Sequence, residues 1–178
     1  MKQRGFTVIE LLVVITVMAI LLVLAVVNVR STQLQARDDE RHADTTNIST
    51  TLEAFYNTVH DGRWKNTYPG TTDMASTYVR DYLKTNLGAG SQHAPGVNTT
   101  GPVSLVNATN TNQTTTGVAP QPTITTYVYQ PLTAINGLCS IYAAEAGCVK
   151  FNIFYKLERP TDECPAPGNI CVIRSKHQ

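Results

Sequence analysis

The sequence predicts an α+β fold: a long amino-terminal helix, apolar in its first half and amphipathic in its second, packed on a small antiparallel β-sheet. Three observations carry that reading. From Leu11 to Val27 the only polar side chain is Thr16, and no Gly or Pro occurs between Phe6 and Asp61. Residues Val149 to Glu158 alternate between apolar and polar side chains at the two-residue period of a strand. All four cysteines, Cys139, Cys148, Cys164 and Cys171, lie in the carboxy-terminal part of the 178-residue chain.

The helix comes first. Its apolar run is long enough to cross the roughly 30 Å hydrocarbon core of a bilayer. Glu10 stands about one turn inside that run. A charge there is costly, about 2.5–3.5 kcal/mol at the bilayer centre and less near an interface, so it asks for a reason. Arg37–Glu40 and Asp38–Arg41 have i, i+3 spacing in what reads as a solvated stretch. Ile48, Leu52, Phe55, Tyr56 and Val59 then recur at helical spacing, the stripe of a core-facing side. One helix from Phe6 to about Val59, ended by Gly62, would be about 80 Å long. Its inner half must be buried in lipid or in other helices, and its outer half must pack on its own domain.

The remaining elements are shorter. Residues 61–72 read as a turn-rich loop. A second helix is expected from about Asp73 to Leu87, capped by Thr72 or Asp73, with Tyr78, Val79, Tyr82 and Leu87 as its apolar face and Gly88 as its stop. Residues 88–123 are rich in Thr, Asn, Gly and Pro. They read as an exposed loop tolerant of change, with one short strand near Val103–Val106. Strands follow at 125–130, at 149–158 with Phe154 breaking the alternation, and at 170–173, with Ser140–Ala143 a candidate fourth. The helix stripe would cover the apolar face of this sheet.

Composition narrows the function. A formal net charge of +1 and a charged fraction of 15% give no bulk field for nucleic acid or an anionic surface. An even number of cysteines on the exported side suggests disulfides. The spacings of eight and six intervening residues differ from a zinc knuckle, and zinc is the alternative. Three connectivities are open. The nearest-neighbour pairing, Cys139–Cys148 and Cys164–Cys171, is preferred because each bond closes a short local loop. No catalytic constellation stands out: His42, His60, His93 and His177 are scattered, and no nucleophile elbow, phosphate loop or His-Glu-x-x-His occurs. No enzyme, cofactor or metal site is expected. Sequons occur at Asn47, Asn98, Asn107 and Asn112, a number that chance supplies in a Thr- and Asn-rich chain.

The leader carries a specific pattern. Lys2 and Arg4 precede Gly5, then Phe6, Thr7 and Glu10, then the apolar run. This arrangement resembles the class III signal of type IV pilins and pseudopilins. A secretory signal peptide would have a shorter apolar core and a small-residue cleavage site. A plain single-pass anchor would need neither the Gly5-Phe6 junction nor Glu10. The resemblance covers residue 1 to about residue 59 well and the rest loosely.

The resemblance implies cleavage by a prepilin peptidase between Gly5 and Phe6, methylation of the new Phe6 amine, and the pilin fold. It divides the chain into a leader (1–5), an assembly segment (6–29), an amphipathic outer helix (30–60) and a globular head (61–178). It also implies a homo-oligomeric helical filament, built by an assembly ATPase and a polytopic platform protein. Phe6 and Glu10 would carry assembly, the carboxylate of one subunit meeting the amine of its neighbour. The simpler role for Glu10 is to complement the positive end of its own helix. With the basic residues on the short side, the precursor would be single-pass with a cytoplasmic amino terminus. The mature form would be an extracellular surface filament, of the kind tied to adhesion and twitching motility. Many pilins have Gly and Pro in the membrane helix, and residues 18–27 here have neither. The rivals are a minor tip subunit binding a surface ligand or DNA, a pseudopilin of a secretion system, and a membrane-tethered binding domain that never polymerises. Lys150, Lys156, Arg159, Arg174 and Lys176 permit nucleic acid binding, but Glu158, Asp162 and Glu163 interleave with them.

Overall fold

The structure is a computed structural model that describes residues 7–58, 66–88, 90–97, 104–141 and 147–177. The expected roles of Gly5, Phe6, Val59, His60 and Gly62 fall outside these residues. Helix α1 spans Val8–Asn57. The chain forms two compact units, residues 1–36 and 37–178.

In the first unit every side chain described from Val8 to Ala25 is exposed, including Val8 at 83%, Met18 at 64% and Leu22 at 66%. Thr16 turns its hydroxyl back to the Val13 carbonyl at 2.8 Å, so the one polar side chain of the run is satisfied inside the helix.

In the second unit the outer part of α1 buries Ile48, Leu52 and Phe55 completely, the expected stripe. They pack against one face of a four-stranded sheet of order β1 (Leu105–Asn107), β2 (Tyr127–Leu132), β3 (Lys150–Lys156) and β4 (Ile170–Arg174). Tyr127, Tyr129, Phe151, Ile153 and Tyr155 meet the helix on that face. Helix α2 (Thr77–Asn86) adds Val79 and Leu83, with Tyr82 edge-on to Phe55 at 5.0 Å between ring centroids. Its N-cap is Ser76, whose hydroxyl accepts from the Val79 N–H. A separate 3₁₀ turn, Asp73–Ala75, occupies the start expected for this helix. Leu83 belongs to the buried face and Tyr78 does not: Val79 and Leu83, four residues apart, share the side turned to the core.

Three expectations need correction. The sheet is mixed: β2–β3 and β3–β4 are antiparallel, but β1 pairs parallel with β2. The connection between β1 and β2 is long enough for the crossover that a parallel pair requires. That connection crosses the face of the sheet away from α1. Ala108 and Val118 are buried there against Val128, Phe154 and Ile170. The Thr- and Asn-rich segment is therefore a cover over a second apolar face, anchored at both ends, with its polar residues outward. Phe154 breaks the alternation because both faces of β3 are buried. The third correction concerns residues 37–44. Arg41 and Asp38 are 1% and 6% exposed, so this stretch is not simply solvated. Of the candidate fourth strand, Ser140 and Ile141 are not in a strand, and 142–146 lie outside the described residues.

Pro131 sits in β2, an inner strand, where its missing N–H would ordinarily leave a gap in the ladder. The register explains it: β1 pairs only with residues 127–129, so β2 is an edge at position 131. There the Pro131 carbonyl accepts from the Cys139 N–H at 3.0 Å.

Candidate functional site: the amino-terminal helix and its start

Glu10 closes a capping box at the start of α1. The Thr7 N–H and the Thr7 hydroxyl both donate to Glu10 Oε2 at 2.9 Å, and the Glu10 N–H donates back to Thr7 Oγ1 at 3.3 Å. Thr7 is thus the N-cap and Glu10 the third helical residue, each satisfying a donor that the first turn leaves open. This accounts for a carboxylate at this place in an apolar helix within a single chain. It leaves Oε1 without a partner among the described residues. Thr7 was not expected to act; the Thr-x-x-Glu spacing ahead of an apolar run was the signal available for it.

Beyond this turn, the apolar surface of α1 runs around the helix on all sides. The helix is long and apolar enough to cross a membrane by length and composition. A surface of this size, without a polar side, belongs in lipid or among other helices.

The head holds its shape through two disulfides, Cys139–Cys148 and Cys164–Cys171, with Cα separations of 5.5 and 5.0 Å. The first is sewn to residues 67–72: the Tyr68 N–H donates to the Cys148 carbonyl, the Thr71 N–H to that of Cys139, and the Thr72 N–H to that of Ser140. A Cβ on Gly70 would lie 2.7 Å from the Ser140 carbonyl oxygen, so the close approach of these two segments needs glycine.

A polar cluster pins the carboxy-terminal tail to α1. Glu53 accepts from the Tyr68 hydroxyl and from the Lys176 N–H, both at 2.8 Å. Burial is the main reason the Tyr68 hydroxyl is pushed far above its ordinary range, with Glu53 adding to it. The His177 ring stacks on Tyr56 at 4.2 Å.

The three described histidines do not converge. His42 Nδ1 meets the Tyr155 hydroxyl at 2.7 Å, His93 is buried elsewhere, and His177 lies 3.8 Å from Glu53. Among the described residues no three His, Cys, Asp or Glu side chains form a metal-holding group. The basic residues also fail to form one patch. Lys150 and Lys156 sit at opposite ends of β3, roughly 20 Å apart at strand rise. Arg159 approaches Asp38 at 3.8 Å.

Comparison with known proteins agrees with the geometry of the amino terminus. The prokaryotic N-terminal methylation motif matches residues 1–26. No curated protein and no solved structure matches the chain. The motif is the class III signal of type IV pilins and pseudopilins. The long amino-terminal helix followed by a four-stranded mixed sheet matches the pilin fold. The motif thus supports a type IV pilin- or pseudopilin-like precursor, a class that points to a structural subunit and implies processing by a prepilin peptidase.

Proposed function

We propose that this chain is a structural subunit of a type IV pilus-like surface filament. It is cut between Gly5 and Phe6, methylated on Phe6, and polymerised through residues 6–29. Residues 30–60 form the outer helix, and residues 61–178 the head exposed on the filament. An assembly ATPase and a membrane platform protein drive the process. The observation that carries this reading is the methylation motif at residues 1–26 on a helix that is apolar and exposed on every side.

Glu10 supplies the register. Cleavage makes a new amine on Phe6, with an ordinary pKa near 8 and therefore charged at neutral pH. In a bundle of apolar helices, that cation on one subunit meets the Glu10 carboxylate of the next. The pair reduces the cost of both charges in a dry core and stops the helices from sliding past one another.

The test is the amount of protein in sheared surface filaments when each variant is the sole copy. Glu10→Ala and Glu10→Gln should insert and be cleaved normally yet lose most filaments, because breaking a buried pair from one side costs roughly 3–5 kcal/mol. Thr7→Val removes only the cap hydroxyl, worth about 1 kcal/mol, and should lower the yield mildly. Normal filaments from Glu10→Ala, with normal cleavage, would contradict the intersubunit role of Glu10, and absence of the unaltered chain from sheared filaments would support a tethered domain that does not polymerise.

A further inference from the structure

We propose that the outer edge of β4 is a pairing surface for a second copy of this chain, which adds its own β4 antiparallel and extends the sheet. The proposal stands apart from the filament reading above and concerns a contact of a different kind.

The hydrogen bonds of the sheet show which backbone groups are used. In an antiparallel ladder the bonded residues alternate along each strand. The Ser175 N–H donates to the Phe151 carbonyl and the Leu157 N–H to the Asn169 carbonyl, which sets the phase of the β3–β4 pair. Cys171 and Ile173 therefore bond to Tyr155 and Ile153. Ile170, Val172 and Arg174 turn their N–H and C=O groups to the outer side of β4. No described residue bonds to those groups there.

This edge has few of the usual guards. Edge strands are ordinarily very short, bulged, charged or interrupted by proline. β4 reads Ile170-Cys-Val-Ile-Arg174, pairs with β3 at five consecutive positions, and has its single charge at the far end. The opposite edge offers less: β1 has three residues, one of which, Asn107, donates through Nδ2 to the Thr71 carbonyl at 2.8 Å.

The charges beside the edge fit a second copy. At its start, exposed Asp162 and Glu163 adjoin Cys164, which the disulfide fixes to Cys171 with Cα atoms 5.0 Å apart. At its end, Arg174 and Lys176 are exposed. None of these four is in an ion pair among the described residues. The outward residues are symmetric about Val172. An antiparallel pair centred there sets Val172 opposite its own copy and Ile170 opposite Arg174 of the second copy, each pair exchanging both backbone bonds. The Arg174 and Lys176 end of each strand then lies along the Asp162 and Glu163 end of the other. A parallel pair would set like charges side by side.

The contact is the same patch on both chains, so it closes on two. Its two-fold axis is perpendicular to the sheet. The outer parts of α1, packed on the same face of both sheets, therefore run in opposite directions. The pair joins copies that point opposite ways, unlike the helix bundle of the assembly proposed above.

The experiment is residue-resolved amide hydrogen exchange of the full-length chain in detergent micelles over a range of protein concentrations. In a lone chain β3 protects the Cys171 and Ile173 N–H groups, while those of Val172 and Arg174 exchange freely. The expected result is protection of Val172 and Arg174 that rises with concentration. Val172→Pro removes only an outward N–H and should abolish the protection at Arg174. Protection kept at Cys171 and Ile173 reports an intact sheet in that variant; where it is lost, the charge variants decide. Arg174→Glu and Glu163→Lys should each lessen the protection, and the two together should restore it. Free exchange of Val172 and Arg174 at every concentration would overturn the proposal. So would protection that does not depend on concentration, that survives Val172→Pro, or that the double charge reversal fails to restore. Dimers held by the apolar helices alone leave both amides exchanging freely, an outcome that defeats this proposal and leaves the filament reading standing.

Discussion

Arg37 grips Glu158 side-on, with Nε–Oε1 and Nη2–Oε2 both at 2.7 Å, although the two residues are 121 positions apart. Arg41 adds a third contact to Glu158 at 2.9 Å and donates through Nε to the Ile124 carbonyl. Asp38 completes the group, accepting from Arg41 at 3.0 Å and from the backbone N–H groups of Glu158 and Arg159. The turn after β3 and the turn before β2 are thereby fastened to the outer part of α1.

Removing the buried member of this group should cost most. Arg41→Met removes the buried cation facing Asp38 and Glu158 and should destabilise the detergent-solubilised chain by about 3 kcal/mol, the low end for breaking a buried pair, since Asp38 keeps two backbone N–H donors and Glu158 keeps Arg37. Arg37→Met, whose side chain is 40% exposed, should cost under about 1 kcal/mol. Urea unfolding followed by tyrosine fluorescence checks the order; equal costs would contradict it.

The carboxylates give opposite pH dependences. The Arg37 hydrogen bonds, with Arg41 beside them, hold the Glu158 pKa down to about 2. Its stabilising contribution is full above the unfolded pKa of about 4.3 and is lost as pH falls toward 2. Asp44 is the reverse. Burial raises its pKa despite the bond from the Tyr127 hydroxyl at 3.2 Å. Stability is therefore greatest with Asp44 protonated, below the unfolded pKa of about 3.9, and declines as pH rises through the folded value. Asp44→Asn should remove that decline and leave the chain equally or more stable at pH 7. Glu158→Gln should flatten the acid limb instead. Unfolding curves from pH 2 to pH 7 test both signs.

The segment around residues 107–117 should not accept insertions freely. A tag after Asn112 would separate it from Thr114 and pull its carbonyl from Gln130, loosening the cover over Val128 and Phe154. Val118→Asp should do so more severely, by roughly 2–4 kcal/mol, by placing an unpaired charge in that cluster. Faster hydrogen exchange along β2 and β3 is the expected signature in both variants, and unchanged exchange would place the segment outside the core.

Much of this architecture was legible locally. Ile48, Leu52 and Phe55 announce a helix face by their spacing, and Phe151, Ile153 and Tyr155 announce a strand face by theirs. Period reveals which side of an element is buried, but not its partner. That is why the Arg41–Glu158 contact was hidden: Asp38 and Arg41 look like an ordinary exposed i, i+3 pair until a carboxylate from the distant turn after β3 arrives. The parallel pairing of β1 was hidden for a related reason, because a three-residue strand carries no period. One signal was present. Phe154, out of step on a polar face, marked a second surface to be covered, and the only apolar residues in the Thr-rich segment near enough to do so are few and small. At the amino terminus the reverse held: the motif is contiguous, so the sequence carried it whole.

The most direct measurement is the intact mass and amino-terminal sequence of this protein in sheared extracellular filaments. The account predicts that the chain is a repeating component of those filaments and begins at Phe6 with a methylated amine. A chain beginning near Asn28, or one that retains Met1 and stays in the membrane fraction while filaments form without it, would contradict the account.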